Sequence, residues 1–118
     1  MASVMIVDDE DVLVAMVAEL IEDIGHRALI ATNGREALDT LLHEREPPAL
    51  IISDVMMPQM NGVALARAVR ADPRFQHIPV ILMSAAGKPP HDNVATYFLH
   101  KPFEMDRLEQ LIEHYIAN

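Results

Sequence analysis

The sequence predicts an α/β fold with one parallel, doubly wound sheet of five strands and helices on both faces. Five short apolar runs recur along the chain, and they are continuous, as in parallel strands that are covered on both sides. Segments with apolar residues at helical spacing separate most of these runs. Such β–α alternation favours right-handed crossovers within a single sheet.

The strands and helices follow one another in a simple order. The predicted strands cover residues 4–7, 28–31, 50–52, 80–83 and 97–99. The predicted helices cover about residues 12–24, 33–43, 61–70 and 108–116. Gly25 is a candidate C-cap of the first helix. Asn33 and Glu36 are spaced as a capping box at the start of the second, and Asn61 begins the third.

The connection between the last two strands is unusually short. Only residues 85–96 join them, and this segment contains Gly87, Pro89 and Pro90. A parallel crossover needs about 10–12 residues even in its minimal form. We therefore expect the helix before the last strand, the fourth in chain order, to be short or missing.

Length and composition exclude several classes of protein. The 118 residues suit one domain, residues 1–118, that folds without metal or disulfide staples. No cysteine is present, which excludes thiolate metal sites and a thiol nucleophile. A net charge of −9 argues against direct nucleic-acid binding. No apolar run approaches about 18 residues, so we expect no membrane insertion and a cytoplasmic protein.

Polar residues stand at the ends of four predicted strands. Asp8 and Asp9 follow the first strand, Asp54 the third, Ser84 the fourth and Lys101 the fifth. Parallel strands end at one edge of the sheet, so these side chains are expected to meet. Close carboxylates repel unless a cation relieves them, and Mg²⁺ prefers such oxygen ligands.

The residue types suit phosphoryl transfer. Asp9 and Asp54 could bind Mg²⁺ directly while Asp8 holds a metal-bound water. An aspartate can act as the nucleophile that becomes an aspartyl phosphate. Lys101 would supply a point charge for a phosphoryl oxygen, and Ser84 a short hydrogen-bond donor.

Each of these residues alone has a simpler interpretation. Asp8 or Asp9 could cap the first helix. Ser84 could be a turn residue and Lys101 a surface charge. Their joint occurrence at four strand ends favours a functional site.

Four motifs carry a resemblance to a known family. They are Ile6-Val7-Asp8-Asp9-Glu10, the run from Ser53 to Gly62, Ile81-Leu82-Met83-Ser84-Ala85, and Lys101-Pro102-Phe103. Together they resemble the receiver domain of response regulators in two-component signalling, of the chemotaxis-regulator kind. The resemblance implies a flavodoxin-like sheet with strand order 2-1-3-4-5.

The resemblance also assigns roles. It implies that Asp54 is the phosphoacceptor, which receives its phosphoryl group from a histidine kinase or a histidine phosphotransfer protein. Asp8 and Asp9 become the acidic metal pair, and the Met56 carbonyl completes the Mg²⁺ shell. Ser84 and Lys101 bind the phosphoryl oxygens.

A switch is implied as well. Phe98, three residues before the lysine, would swing inward as Ser84 moves toward the phosphate; a role as a plain core residue stays open. Strand alternation points the neighbouring Tyr97 to the other face. The Lys101–Pro102 peptide bond is expected to be cis, and Gly62 to shape the loop after the phosphoacceptor.

The resemblance implies a phosphoacceptor protein, not an enzyme, with only self-phosphorylation from small donors and self-dephosphorylation. The sequence leaves no room for an output domain after the last helix, so it is either a stand-alone regulator, with output by contact with a downstream protein target, or an excised domain. Because residues 85–96 are few, we expect phosphorylation to signal by ordering this segment.

Two alternatives stay open. The chain could be a degenerate receiver that binds partners without phosphorylation. It could also be a small phosphohydrolase of the haloacid-dehalogenase type, whose Asp-x-Asp motif matches Asp9-Glu10-Asp11 by letter. The six histidines show no ligand spacing and are interpreted as structural or surface residues: His26, His43, His77, His91, His100 and His114.

Overall fold

The chain folds as a parallel β-sheet with helices packed on both of its faces. The computed structural model describes residues 2–85 and 94–116. Its strands are β1 (Ser3–Val7), β2 (Arg27–Ala31), β3 (Leu50–Asp54), β4 (Val80–Ser84) and β5 (Tyr97–His100). Its helices are α1 (Asp11–Asp23), α2 (Gly34–His43), α3 (Gly62–Ala71) and α4 (Met105–Ile116).

The strand order is β2-β1-β3-β4-β5, and every neighbouring pair is parallel. This confirms the predicted fold and order. The chain leaves β1 toward the β2 edge and returns on the other side at β3. Such a reversal opens a crevice at the carboxyl ends of the two central strands, where α/β sheets bind ligands.

The core consists of two aliphatic layers. In the α2/α3 layer, helices α2 and α3 pack against residues such as Ile51 and Leu82. In the α1/α4 layer, helices α1 and α4 cover residues such as Ile52 and Met83. All residues of β3 and β4 are buried, because successive side chains enter opposite layers and both layers are covered.

Capping contacts confirm the predicted starts of α2 and α3. The Asn33 side chain accepts a hydrogen bond from the backbone N–H of Glu36 at 2.8 Å. The Glu36 carboxylate in turn accepts one from the Thr32 N–H at 2.6 Å. Asn61 caps α3 through the Ala64 N–H at 2.8 Å. Gly25 follows α1 with φ of 96°, the left-handed conformation that glycine tolerates best.

The number of described helices agrees with the prediction of a short connection between β4 and β5. The described residues hold four helices, as expected for a chain whose fourth-helix region is short, and α4 is the helix predicted last. Residues 86–93 lie outside the described part, so the conformation and ordering of 85–96 stay predictions. Among the described helices, none has the length and apolar character needed to cross a membrane.

Candidate functional site

The predicted site residues lie along the carboxyl edge of the sheet. Asp8 directly follows β1, Asp54 and Ser84 are the last residues of β3 and β4, and Lys101 directly follows β5. The sheet therefore brings four separated parts of the chain to the crevice between β1 and β3. The Lys101–Pro102 peptide bond is cis, as the resemblance implied.

Three carboxylates form a compact cluster. One oxygen from each of Asp8, Asp9 and Asp54 lies within 4.8 Å of the other two. Asp8 and Asp54 are buried, with 1% and 8% of their surface exposed, whereas Asp9 faces solvent. Hard oxygen ligands this close together could hold a divalent cation.

Neither Asp8 nor Asp9 caps α1. The N-cap of this helix is Glu10, whose side chain makes no capping hydrogen bond. Asp8 instead accepts a hydrogen bond from the Glu10 backbone N–H at 2.9 Å through its Oδ1. The capping interpretation is therefore wrong for both residues.

The ammonium group of Lys101 lies among these carboxylates. Its Nζ is 3.1 Å from Asp8 Oδ2 and 3.3 Å from Asp54 Oδ1. A third carboxylate, Glu10, is 3.8 Å away. The Lys101 side chain is 17% exposed, so solvent screens these contacts less than it would at the surface. Lys101 therefore neutralises part of the cluster's charge, but only one unit of it.

The positive charge of Lys101 compensates the buried Asp54 carboxylate only in part. Burial raises the pKa of the Asp54 carboxyl, and the neighbouring Asp8 raises it further; Lys101 opposes both without cancelling them. Burial also acts to lower the pKa of Lys101, but its hydrogen bond to Asp8 and the charges of Asp8 and Asp54 raise it overall. A further cation beside Asp54 would favour its ionised form.

The loop after Asp54 turns back tightly over the strand end. The Gly62 N–H donates to the Val55 carbonyl at 2.9 Å. A Cβ atom on Gly62 would lie 2.1 Å from the backbone oxygen of Asp54, so only glycine fits. The same oxygen accepts a hydrogen bond from the Ser53 hydroxyl at 2.9 Å. Gln59 has φ of 67°, a left-handed conformation that is uncommon outside glycine.

Three other predicted site residues differ in their exposure to solvent. Ser84 is 2% exposed at the end of β4. Met56 stands two residues after Asp54 with its side chain 69% exposed. Phe98 is half-buried against the α2/α3 layer, whereas Tyr97 packs on the α1/α4 layer, which confirms the predicted alternation.

Sequence reasoning missed two groups of contacts. The approach of Glu10 to Lys101 was signalled only by the acidic run of residues 8–11. Arg70, at the end of α3, donates to the Ile78 carbonyl at 2.7 Å and to the Thr96 hydroxyl at 2.9 Å. It thereby ties α3 to the residue before β5, and no local pattern indicates this contact.

The interpretation of the histidines as structural or surface residues stays a prediction. In the described part of the chain, Asp8, Asp9 and Asp54 are the only group of histidine, aspartate or glutamate side chains with metal-ligand geometry. His91 lies outside the described residues.

Sequence comparison decides the family. A family model described as "response regulator receiver domain" matches residues 4–113. The chain belongs to this family. Receiver domains act in phosphorylation-dependent two-component signalling and are not enzymes of the usual kind, and the match leaves the dehalogenase alternative without support.

Two curated relatives illustrate the match. The response regulator Rre1 of Synechocystis is 38% identical over 122 residues, which cover 98% of this chain and 52% of that protein. This receiver domain thus spans about half the length of Rre1. The polar-differentiation response regulator DivK of Brucella anthropi is 31% identical over 98% of this chain and 97% of its own.

Solved structures agree. The signal receiver domain of a signal transduction histidine kinase from Syntrophus aciditrophicus is 32% identical, with a TM-score of 0.88 over 99% of this chain and 91% of that one. The Vibrio cholerae chemotaxis protein CheY4 is 31% identical, with a TM-score of 0.87 over 98% and 99% of the two chains. The response regulator TrrA of Thermotoga maritima, solved in complex with Mg²⁺–BeF, is 25% identical, with a TM-score of 0.86 over 98% and 100%.

Proposed function

We propose that this receiver domain is a switch phosphorylated on Asp54 by a histidine kinase or a histidine phosphotransfer protein. The observation that carries this proposal is the position of the Lys101 ammonium, 3.3 Å from Asp54 and 3.1 Å from Asp8 at the edge of the acidic cluster. A nucleophile, a cation for phosphoryl oxygens and a set of metal ligands thus occupy one crevice.

The transfer step follows from these positions. An oxygen of the Asp54 carboxylate attacks phosphorus, and the phosphorus–nitrogen bond to the donor histidine breaks while the nitrogen keeps the electron pair. The transition state is loose and spreads charge over the phosphoryl oxygens, so positioning and neutralisation are the protein's main contribution. Lys101 provides one positive charge there, and the Ser84 hydroxyl donates a hydrogen bond to the transferred group.

The acidic cluster fits Mg²⁺ by the chemistry of its donors. We infer that Asp9, Asp54 and the Met56 carbonyl bind the ion directly and that Asp8 holds it through a water. When bound, the ion supplies positive charge beside the phosphoryl oxygens. The raised pKa of Asp54 supports this inference, because one lysine leaves the buried carboxylates under-compensated. The Mg²⁺–BeF complex of the related TrrA supports it as well.

The readout is proposed to use Ser84 and Phe98. Ser84 is buried beside the strand that carries Asp54, and Phe98 is the register partner of Leu82, two residues earlier on β4. A hydroxyl drawn toward the phosphoryl group would leave space on this face for the Phe98 ring. Output then follows by contact with a downstream protein target.

Other expectations belong to the same proposal. Residues 1–118 form one receiver domain, which works in the cytoplasm without direct contact to nucleic acid. The domain catalyses only its own phosphorylation from small donors and its own dephosphorylation, in which water attacks the phosphorus and releases the Asp54 carboxylate. The net charge of −9 supports the absence of nucleic-acid contact.

Intact-mass spectrometry after incubation with acetyl phosphate tests this proposal. We expect the protein to gain one phosphoryl group when Mg²⁺ is present and none when it is removed by a chelator. Asp54→Asn should gain none, while Asp23→Asn, an exposed carboxylate at the end of α1, should behave as wild type. If wild type gains no phosphoryl group from acetyl phosphate or from a phosphorylated histidine phosphotransfer protein, the phosphorylation-independent binding module becomes the better account.

A further inference from the structure

The ring of Phe98 contacts the ring of His100 on the outer strand of the sheet. The two ring centroids lie 5.9 Å apart and the planes meet at 88°, an edge-to-face arrangement. Residues two apart in a strand project from the same face, so both rings lie on the side of the α2/α3 layer. Edge-to-face pairs attract beyond the apolar area that they bury. The contact therefore stabilises the ring position that Phe98 adopts here.

The strand register places His100 next to Ser84. Ser84 pairs with His100 and Leu82 pairs with Phe98 across β4 and β5. Register partners on neighbouring parallel strands project to the same face, so Ser84, Phe98 and His100 share one side of the sheet. Ser84 is buried, Phe98 half-buried and His100 exposed. His100 is thus the most exposed of the three residues on this face.

The other aromatic residue of this strand is held elsewhere. Tyr97 projects toward the α1/α4 layer, and its hydroxyl accepts a hydrogen bond from Arg107 at 2.6 Å. The Arg107 guanidinium carbon also lies 5.4 Å from the centre of the Tyr97 ring. Phe98 is therefore the aromatic residue of β5 on the Ser84 face, and it carries no hydroxyl to anchor it. The described contact that holds its ring is the one with the His100 ring.

We propose that His100 is a positioning residue of the switch, whose ring holds Phe98 in the place it occupies before phosphorylation. This inference rests on the proposed function, since it assumes that Phe98 moves when Asp54 is phosphorylated. Removing the His100 ring should raise the population of the other Phe98 position about two- to tenfold, from the usual strength of such a pair. Because coupling is reciprocal, the phosphoryl mimic beryllofluoride should then bind more tightly by a similar factor.

Fluorine NMR of the protein labelled with 4-fluorophenylalanine measures the position of the ring. The chain has three phenylalanines, so Phe75→Leu and Phe103→Leu assign the Phe98 resonance. With Mg²⁺, beryllofluoride should move this resonance in wild type. In His100→Ala the resonance should lie closer to the beryllofluoride position before any mimic is added, and the titration midpoint should fall about two- to tenfold. His100→Phe, which restores an edge-on ring, should return both values toward wild type.

A matched control is available on α4. His114 meets the ring of Tyr115 edge-on, with centroids 4.8 Å apart and planes at 81°. His114→Ala removes a comparable pair far from Ser84 and should leave the Phe98 resonance unchanged. The inference is overturned by an unchanged resonance in His100→Ala, by an equal shift in His114→Ala, or by no recovery in His100→Phe. If instead wild type binds no beryllofluoride and accepts no phosphoryl group, the proposed function itself is overturned.

Discussion

The ammonium group of Lys101 lies closer to Asp8 than to the proposed phosphoacceptor: its Nζ is 3.1 Å from Asp8 Oδ2 and 3.3 Å from Asp54 Oδ1. Asp8 therefore both supplies negative charge to the acidic cluster and holds the Lys101 ammonium in place beside Asp54. The carboxylates of Asp8 and Asp54 together raise the pKa of Lys101, although burial acts to lower it. The lysine is therefore protonated at neutral pH.

Asp8→Asn should weaken Mg²⁺ binding about 10- to 100-fold, the usual effect of losing an outer-shell carboxylate. The substitution keeps the size of the side chain but removes one charge from the cluster. Calorimetric titration with Mg²⁺ measures the change. Asp11→Asn, in the exposed first turn of α1, is the control, and its Mg²⁺ affinity should stay near that of wild type. An Mg²⁺ affinity of Asp8→Asn within twofold of wild type would contradict the assignment.

Asp54→Asn should stabilise the metal-free protein at neutral pH. Burial raises the folded-state pKa of Asp54 above 3.8, its ordinary value, so ionising it costs more in the folded than in the unfolded chain. Wild type therefore loses stability relative to the variant as pH rises from about 3.8 through that raised pKa. Above this window the difference should level at about 0.5–2 kcal/mol, the common range for a stabilising substitution.

Urea unfolding at several pH values with a chelator present measures this difference in the free energy of unfolding. The stabilities of the variant and wild type should converge below about pH 3.8, where the carboxyl is protonated in both the folded and the unfolded state. An Asp54→Asn protein that is less stable than wild type at neutral pH would show that Lys101 more than compensates the buried charge.

Gly62→Ala should damage both stability and phosphorylation. The added Cβ would lie 2.1 Å from the Asp54 backbone oxygen, which cannot move without displacing the end of β3. We expect a loss of about 1–3 kcal/mol, as for other overpacked sites, and little phosphorylation from acetyl phosphate.

Gly25→Ala is the matched control for this glycine. It strains a left-handed residue by about 1–2 kcal/mol but meets no atom within 4 Å and lies far from Asp54. Its phosphorylation should stay at the wild-type level. Equal phosphorylation of the two alanine variants would contradict a specific role of Gly62 beside Asp54.

Arg70→Met should loosen the start of β5. Arg70 donates to three oxygens, those of Gln76, Ile78 and Thr96, and the part-buried bond to Ile78 should contribute most, about 1.5–3 kcal/mol for a charged donor. Amide hydrogen exchange at Thr96, whose N–H donates to Val80, should quicken in the variant. Arg67→Met, an exposed position on the same helix, should not change it. Unchanged exchange at Thr96 in Arg70→Met would show that this tie is dispensable.

Much of the site could be predicted because parallel strands place their ends together. Asp8, Asp54 and Lys101 each stand at a strand end in the sequence, and the sheet makes neighbours of them without further information. The helix caps at Asn33 and Asn61 could also be predicted from the sequence, because a capping side chain accepts a hydrogen bond from the backbone N–H three residues later.

The remaining contacts depend on packing between distant elements. The rotamer that carries Arg70 to Thr96 crosses from α3 to β5, and neither residue's neighbours in sequence indicate it. The placement of Phe98 and His100 beside Ser84 needed the register of β4 and β5 as well as strand alternation. Likewise, the acidic run around Glu10 looks like an ordinary solvated surface in the sequence. Its contact with Lys101 depends on the segment that follows β5.

Reductive trapping identifies which residue of this receiver domain carries the phosphoryl group. Borohydride reduces an aspartyl phosphate to homoserine, and peptide mass spectrometry then identifies the position. After acetyl phosphate and Mg²⁺, we expect homoserine at position 54, and none when Mg²⁺ is chelated. Homoserine at position 8 or 9, or an unmodified position 54 in protein that has gained a phosphoryl group, would contradict the assignment of Asp54 as the phosphoacceptor.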